Sequence, residues 1–375
     1  MQAKEAETRA QYLKDTENDK NVRLCFPSMQ GQINCMHSKL MLLSHPSRLR
    51  IVVPTANLVP YDWGEDGTME NCVFIIDLPR LNGTERPELT QFATELVRFL
   101  QAQTLDKTII DSIQNFDFSA TDAFAFLHTI GGAHTGDAAG RTGYPGLARA
   151  VRGLGLSRSE LPEIDFVASS IGSLNMGFIN NIARACQGAD LIKDEDVKKA
   201  SRKSPWTQAE PERNAAEKAV SERFRIYFPT HETVISSLAG GAGTICIQSK
   251  YFNSPVFPKD LLRDCVSTCS SVLMHNKIVY VRPAEADGTA AWAYIGSANC
   301  SESAWGNKIV KDREMKLPKL NCRNWECGVI VPCGGSAEHE MANGMDVFRG
   351  TVPVPMQWPG KRYGERKPWY FMEQG

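Results

Sequence analysis

The sequence predicts an α/β fold that carries an internal duplication. Short apolar runs typical of buried strands alternate with segments of helical periodicity along the 375 residues. Hydrophobic residues make up 42% of the chain and charged residues 23%, a globular composition that suits one large domain or two ordinary ones. A set of polar residues also recurs in the same order in both halves of the chain, as expected of a duplicated unit.

The first half of the chain begins with a densely charged segment that predicts a polar helix or a frayed arm. Residues 40–43 and 49–53 are apolar runs on either side of a His-Pro-Ser turn signal, so they predict a strand, a turn and a second strand. A further buried strand is predicted at 72–78, and apolar residues at helical spacing predict a helix at 90–104.

The second half follows a glycine-rich stretch at 131–146, which predicts a loop or a domain junction. A strand at 165–168 leads into the serine-rich loop SSIGS, and the charged, alanine-rich segment 193–222 predicts a surface helix or a loop excursion. We therefore expect two domains, 1–130 and 131–375.

Charge and cysteine content exclude several classes of protein. The 42 Lys and Arg residues nearly balance the 43 Asp and Glu residues, which excludes a histone-like binder but permits a local basic groove. No apolar run reaches the roughly 18 residues of a membrane span, and the N-terminus lacks the apolar core of a secretory signal. The eleven cysteines form no C-x-x-C pair, so we expect free thiols in the reducing cytosol or nucleus rather than a zinc site or a disulfide scaffold.

The duplication consists of five polar and aromatic residue types in one order. The equivalent pairs are His37 and His275, Lys39 and Lys277, Asn57 and Asn299, Trp63 and Trp305, and Glu70 and Glu326. The His-to-Lys spacing is two residues and the Asn-to-Trp spacing six in both halves, whereas the Trp-to-Glu spacing is 7 and 21. A surface loop can absorb that difference. A purely structural duplication would preserve apolar positions rather than these polar ones, so a duplicated active site is the favoured interpretation.

These residue types suit chemistry on a phosphate. In an extended strand the His and the Lys two positions later project to one face, so two such strands would bring two imidazoles and two ammonium groups together. The lysines and the Asn amides can bind the oxygens of a tetrahedral anion, one imidazole can attack phosphorus, and the other can protonate the leaving group. Each Glu can hold the far nitrogen of a His ring. The lysines supply positive charge, so we expect no metal and no cofactor.

The duplicated H-x-K…N pattern resembles the phospholipase D superfamily, whose usual motif is H-x-K-x4-D. The Asp would fall at Ser44 and Arg282, so it is absent from both halves. An H-K-N arrangement with TANL, DWG, SANCSESAWG and NWECGV is similar to the type 1 tyrosyl-DNA phosphodiesterase family. The resemblance runs from about Arg23 to the C-terminus and includes the segments SSIGS, FPTHETV and KPW.

This resemblance implies two similar phospholipase D-like α-β-α sandwich domains related by a pseudo-twofold, with the active site at their interface. It implies a nuclear DNA-repair enzyme that hydrolyses 3′-phosphotyrosyl and other 3′-blocked DNA ends without a metal. The implied partners are single-stranded or duplex DNA 3′ ends that carry a tyrosyl peptide derived from topoisomerase I. We expect a monomer and no membrane partner.

The same resemblance assigns roles to individual residues. His37 would attack phosphorus and form a phosphohistidine, and His275 would protonate the tyrosyl oxygen and then activate water. Phosphoryl oxygens would be bound by Lys39, Lys277, Asn57 and Asn299. Glu326 would orient His37, and Glu70 would orient His275.

Contacts to DNA are implied for four further residues: Ser170, Ser173, Ser301 and Trp369. Loop capping is the structural alternative for the serines, and a place in the core is the alternative for the tryptophan.

The sequence departs from the family pattern at three places. Ile33 stands where relatives often have an aromatic residue that stacks on a base, and Glu302 stands where a basic residue is common. The first domain is also short, so we expect its leading strands to be missing, with an exposed sheet edge and reduced stability. Two alternatives therefore stay open: another nuclease or phosphodiesterase of the superfamily, and an inactive DNA-binding variant.

Overall fold

A computed structural model describes most of the chain, namely residues 2–83, 86–193, 210–240, 244–284, 290–334, 344–371 and 373. The predicted alternation of strands and helices is confirmed. The strands are β1 (Cys35–Met36), β2 (Met41–Ser44), β3 (Arg48–Pro54), β4 (Met69–Glu70), β5 (Val73–Pro79), β6 (Ala125–Thr129), β7 (Gly132–Thr135), β8 (Glu163–Val167), β9 (Phe224–Phe228), β10 (Leu262–Asp264), β11 (Leu273–Met274), β12 (Ile278–Arg282), β13 (Ala291–Gly296), β14 (Val310–Lys311), β15 (Pro318–Cys322) and β16 (Asn324–Cys333).

Helices pack around these strands. They are α1 (Ala6–Thr16), α2 (Gln91–Ala102), α3 (Lys107–Ser112), α4 (Asp137–Gly140), α5 (Gly143–Gly153), α6 (Met176–Cys186), α7 (Glu210–Arg223), α8 (His231–Ile235), α9 (Ser249–Phe252) and α10 (Glu302–Trp305). Within the described ranges, no helix is both long and apolar enough to cross a bilayer.

The largest sheet has eight strands and forms the centre of the fold. Its order is β1-β16-β13-β12-β8-β9-β10, and β6 also pairs with β16. Strands β8, β9 and β10 run parallel to one another, as do β1 and β16, whereas the pairs β8-β12, β12-β13, β13-β16 and β16-β6 are antiparallel. Every residue of β12 and β13 is buried, so side chains cover both faces of the sheet there.

The first half contributes a separate antiparallel sheet of order β2-β3-β5. The predicted strand, turn and strand are confirmed as β2 and β3, and the run at 72–78 is confirmed as β5. The His45 N–H donates to the Arg48 carbonyl (2.8 Å) and closes the turn between β2 and β3. The predicted helix is α2, and the Thr90 hydroxyl accepts the Ala93 N–H at its start.

Helix α2 connects the two halves through aromatic packing. Phe92 and Phe99 lie 5.6 and 5.8 Å, between ring centroids, from Phe126 of β6. Strand β6 precedes the expected domain boundary at residue 130, yet it pairs with β16 of the central sheet.

The glycine-rich stretch 131–146 is more ordered than the sequence suggests, because it forms β7, α4 and the start of α5. Gly143 has a φ of +60°, and a Cβ there would lie 2.1 Å from the Trp305 carbonyl oxygen. This glycine therefore permits α5 to pack closely against α10. Of the charged segment 193–222, residues 194–209 lie outside the described residues, and the rest is largely α7.

Candidate active site

Each of the two H-x-K segments pairs with a strand of the opposite half. Strand β1 runs parallel to the start of β16, and the His37 N–H donates to the Trp325 carbonyl (2.9 Å). Strand β11 runs parallel to β4, and the His275 N–H donates to the Glu70 carbonyl (3.0 Å). Because the pairing is reciprocal, both histidines lie where the halves meet.

The two lysines repeat one contact. Lys39 Nζ donates to the His37 carbonyl (2.8 Å), and Lys277 Nζ donates to the His275 carbonyl (2.5 Å) and to that of Thr55 (3.1 Å). The H-x-K segments lie beyond the strands β1 and β11 rather than within them, so each lysine folds back onto its own motif.

Burial and mutual repulsion act on these ammonium groups. Burial lowers the pKa of Lys39 below its ordinary value, although the carboxylates of Glu326 and Asp62 oppose that effect. Burial lowers the pKa of Lys277 further, and the charge of Lys39 adds to the shift. The repulsion between the lysines shows that the two motifs lie in one site, which favours an anion.

The constant six-residue spacing from Asn to Trp has a structural cause. Trp63 Nε1 donates to the Asn57 carbonyl (2.8 Å), and Trp305 Nε1 donates to the Asn299 carbonyl (3.0 Å). Each indole therefore fixes the backbone of the Asn that precedes it.

Asn299 is also fixed through its side chain. Its Oδ1 accepts backbone N–H groups of Ser169 (3.2 Å) and Ser170 (2.9 Å). Its amide nitrogen is thereby left as the end of the side chain that can donate to a phosphoryl oxygen.

His37 is paired with the carboxylate that the sequence predicts for it. Its Nδ1 lies 2.8 Å from Glu326 Oε2. Glu326 is 1% exposed and also accepts Ser297 Oγ (2.6 Å) and Asn324 Nδ2 (2.9 Å). An anionic acceptor at Nδ1 favours the tautomer in which Nε2 carries a free lone pair, which is the form that can attack phosphorus.

The expected pairing of Glu70 with His275 is wrong. The Glu70 carboxylate accepts a hydrogen bond from Ser267 Oγ. Among the described residues, the carboxylate that reaches His275 is that of Asp62, whose Oδ2 lies 3.0 Å from His275 Nδ1.

A one-residue difference in strand register explains this correction. Met36 is opposite Trp325, so Glu326 is the next residue alongside His37. Met274 is opposite Glu70, so Asn71 takes the equivalent position alongside His275. A slip of one residue turns a strand's side chains to the other face, and Glu70 is therefore directed elsewhere.

Hydrogen bonds from two hydroxyl groups also show that Asn71 is the counterpart of Glu326. Ser297 Oγ donates to Glu326 Oε2, and Thr55 Oγ1 donates to Asn71 Oδ1 (2.7 Å). Ser297 Oγ then accepts the N–H of Cys327 (2.9 Å), just as Thr55 Oγ1 accepts the N–H of Cys72 (3.0 Å). Alignment of the repeat on these two cysteines, rather than on the glutamates, would have identified Asn71 as the counterpart of Glu326.

Asp62 was missed by the sequence argument. It lies in a 3-10 helix, Pro60–Trp63, and is 1% exposed. Its Oδ2 accepts the Asn57 N–H (2.7 Å) as well as facing His275, so one carboxylate connects two site residues. The sequence did contain a signal for Asp62, because it is an acidic residue directly before the repeated Trp63.

The two histidines differ in exposure. The His37 side chain is 22% exposed and that of His275 only 5%. Burial, helped by the charges of Lys277 and Lys39, lowers the pKa of His275 to about 3, against the opposing effect of Asp62. Burial alone would raise the pKa of the Asp62 carboxyl, but its contact with His275 and the Asn57 N–H hold it below its ordinary value.

The four expected DNA contacts lie in different environments. Ser301 Oγ accepts the Ala304 N–H (3.2 Å) and caps α10, which is the alternative raised for the serines. Ser170 is half-buried and Ser173 is exposed.

Trp369 requires a correction: it is 8% exposed, belongs to the core and stacks on His231 at 5.3 Å between ring centroids, so it does not form an open groove wall.

No group of three or more His, Cys, Asp or Glu side chains is arranged to hold a metal ion within the part of the chain that the structure describes. The arrangement instead provides two imidazoles, each with a carboxylate on one nitrogen, and two buried amines. It can bind a tetrahedral anion and transfer a proton on either side of it.

Comparisons with known proteins agree with this geometry. A model of the tyrosyl-DNA phosphodiesterase family matches residues 1–364. The chain is 26% identical over 341 residues to a probable tyrosyl-DNA phosphodiesterase of Caenorhabditis elegans, covering 85% of this chain and 67% of the relative. It is 27% identical over 306 residues to tyrosyl-DNA phosphodiesterase 1 of Drosophila melanogaster, covering 78% of this chain and 49% of the relative.

The fold is also similar to a solved structure. The yeast tyrosyl-DNA phosphodiesterase aligns with a TM-score of 0.62 and 18% identity, over 94% of this chain and 81% of that one. This likeness confirms the predicted α/β fold of the phospholipase D type.

Proposed function

Because the chain belongs to the tyrosyl-DNA phosphodiesterase family, we propose that it hydrolyses the phosphodiester bond between a DNA 3′ end and a tyrosyl residue. The chain spans about two thirds of the worm relative and half of the fly relative, at 67% and 49%. The observation that carries the proposal is the reciprocal pairing at the interface, which unites two His-carboxylate pairs with two buried lysines.

In the first step, Nε2 of His37 attacks phosphorus and the bond from phosphorus to the tyrosyl oxygen breaks. The electron pair leaves with that oxygen, and His275 gives it a proton. Phenol has a pKa of about 10, so it leaves more readily than an alkoxide. The exposure of His37 and the Glu326 contact at its Nδ1 support its role as the nucleophile.

In the second step, water attacks the phosphohistidine. His275, now neutral, takes a proton from the water, the bond from phosphorus to Nε2 breaks, and a DNA 3′-phosphate is released. The buried carboxylate of Asp62 keeps the His275 ring oriented through both steps. We therefore propose Asp62, rather than Glu70, as its positioning residue.

Substrate binding enables His275 to take up from solvent the proton that it later donates. Burial lowers the pKa of His275, and the charges of Lys277 and Lys39 lower it further. A phosphodiester anion beside Lys39 and Lys277 offsets their charge, which raises the pKa of His275 toward its ordinary range. Lys39, Lys277, Asn57 and Asn299 bind the phosphoryl oxygens, and Ser170 and Ser173 remain candidates for the DNA backbone.

The finer part of the proposal concerns the physiological substrate. We propose a topoisomerase I-derived peptide as the adduct, action on single-stranded or duplex 3′ ends, and a monomeric enzyme in the nucleus. The tyrosyl-DNA phosphodiesterase names of the relatives support a tyrosyl adduct on DNA.

The direct test uses an oligonucleotide with a 3′-phosphotyrosine, incubated with the protein in EDTA and analysed on a denaturing gel. The expected product is the 3′-phosphate. Retention of the tyrosine by the wild-type protein, with DNA binding intact, would favour an inactive DNA-binding variant. Cleavage only at internal phosphodiesters would favour a nuclease of the wider superfamily.

A further inference from the structure

The loop after Asn57 exposes three large apolar side chains beside the candidate active site. Leu58 is 81% exposed, Tyr61 38% and Trp63 41%. We call this segment, residues 58–63, the aromatic loop. Apolar side chains that cluster on a surface mark a binding site more often than isolated ones do.

The aromatic loop is tied to the active site at both of its ends. Trp63 Nε1 donates to the Asn57 carbonyl (2.8 Å), which holds the indole next to the expected phosphate ligand. Asp62 lies between the exposed Tyr61 and Trp63, and its buried carboxylate contacts His275 and the Asn57 N–H. The exposed rings are therefore held at a defined position next to the reacting groups.

Comparison of the two halves shows that the fold does not require this exposure. Trp305 makes the same hydrogen bond to Asn299 but is only 1% exposed. Its ring packs at 5.2 Å from Tyr294 and 6.2 Å from Phe166, measured between centroids. Of the two equivalent tryptophans, Trp63 presents its ring to solvent and Trp305 does not.

Charge distinguishes the segments that follow the two asparagines. Residues 57–71 contain four acidic residues and no basic one, whereas residues 299–326 contain six basic and four acidic residues. Lys308, Lys311 and Arg313 are exposed in the second segment. A DNA strand is a polyanion, so it is attracted to the second segment and repelled by the first.

We propose that the aromatic loop binds the peptide side of the substrate, that is, the departing tyrosyl group and the residues that flank it. This inference rests on the proposed function and adds a subsite to it. A peptide provides aromatic and apolar contacts without phosphate charge, and the exposed Glu65 and Asp66 favour basic flanking residues.

The first test compares two leaving groups on the same oligonucleotide. One substrate carries a 3′-p-nitrophenyl phosphate, and the other a 3′-phosphotyrosyl peptide with lysines on both sides of the tyrosine. The double variant Leu58→Ser/Tyr61→Ser removes the exposed contacts and leaves Trp63 in place. We expect kcat/KM to fall about tenfold on the peptide substrate and less than about twofold on the nitrophenyl substrate, as loss of one or two aromatic or apolar contacts would give.

A control is Leu43→Ser, which removes another exposed leucine (43%) from β2 and should change neither value. An unchanged preference in the double variant, or an equal loss on both substrates, would overturn the proposal.

The second test does not require turnover. Binding of a fluorescent phosphotyrosyl peptide with flanking lysines is measured by anisotropy in the absence of DNA. We expect the double variant and Glu65→Gln/Asp66→Asn each to weaken peptide binding severalfold, and Leu43→Ser to leave it unchanged. If the protein hydrolyses neither substrate, the proposed function fails, but this binding measurement still shows whether the aromatic loop binds the peptide. If the variants weaken binding of a 3′-hydroxyl oligonucleotide instead of the peptide, the aromatic loop is a DNA surface and the proposal is wrong.

Discussion

His37 and His275 carry the same ring in different surroundings. The first contacts Glu326 and is partly exposed, and the second contacts Asp62 and is buried. Their residue types and order were evident from the sequence because a duplicated H-x-K pattern is rare. The carboxylate on His275 was not evident, because it comes from a short 3-10 helix rather than from the strand that carries Glu70.

At the residue scale, separate neutralisation of Asp62 and Glu70 shows which of the two carboxylates orients His275. Asp62→Asn removes the charge that orients His275, so we expect kcat on a 3′-phosphotyrosyl oligonucleotide to fall about 10- to 100-fold with little change in KM. Glu70→Gln keeps a partner for Ser267, and its activity should stay within about twofold of wild type. Steady-state kinetics from pH 5 to 9 make the comparison. A pH profile that Asp62→Asn leaves unshifted, with Glu70→Gln as the impaired variant, would restore the assignment made from the sequence.

The low pKa of His275 predicts how stability changes with pH. The unfolded chain binds a proton at this histidine near pH 6.5, whereas the folded chain binds it only near pH 3. The free energy of unfolding should therefore decrease as the pH falls from about 6.5 toward 3, by up to about 1.4 kcal/mol per pH unit from this residue.

Urea unfolding of wild type and His275→Asn at pH 7.5, 6.0 and 5.0 measures this contribution. The variant should lose less stability than wild type over the same interval. Parallel curves for the two proteins would mean that His275 titrates normally in the folded state.

At the scale of elements, local pattern predicted the strands β2, β3 and β5 and the helix α2, because apolar periodicity and a capping threonine are local signals. The glycine-rich stretch 131–146 was predicted as a loop or a domain junction but forms β7 and α4, since β7 obtains its partner β15 from a distant part of the chain. The register of β4 against β11 also depends on such long-range pairing. A one-residue slip there moved Glu70 away from the site, which spacing alone could not reveal.

The repeated Trp-to-Asn hydrogen bond gives a prediction at this scale. Trp305→Phe leaves the Asn299 carbonyl of a buried segment without its donor, so we expect a loss of about 1–3 kcal/mol in the free energy of unfolding. Trp63→Phe makes the same chemical change at a partly exposed position, where water can replace the indole, and should cost less than about 1 kcal/mol. Equal losses of unfolding free energy in the two variants, measured by urea unfolding, would show that burial of the tryptophan does not determine the strength of its hydrogen bond.

At the scale of the whole molecule, the site forms because a strand of each half pairs with a strand of the other half. Strand β1 of the first half pairs with β16, and β11 of the second half pairs with β4. The sequence predicted a site between two domains from the order of five residue types. It could not predict that β6 joins the central sheet, and it could not decide between a groove and a core position for Trp369, because both depend on contacts between distant segments. The near-neutral net charge conceals an acidic segment after Asn57 and a basic one after Asn299.

The central claim is that the two halves supply complementary groups for one reaction, with His37 as nucleophile and His275 as the residue that activates water. The most direct measurement is a search for a covalent DNA adduct on His275→Ala after incubation with a 3′-phosphotyrosyl oligonucleotide, located by mass spectrometry of the digested protein. The account predicts an adduct that accumulates on His37 in His275→Ala, and none in His37→Ala. Full hydrolysis by His37→Ala, or an adduct on any other residue, would contradict it.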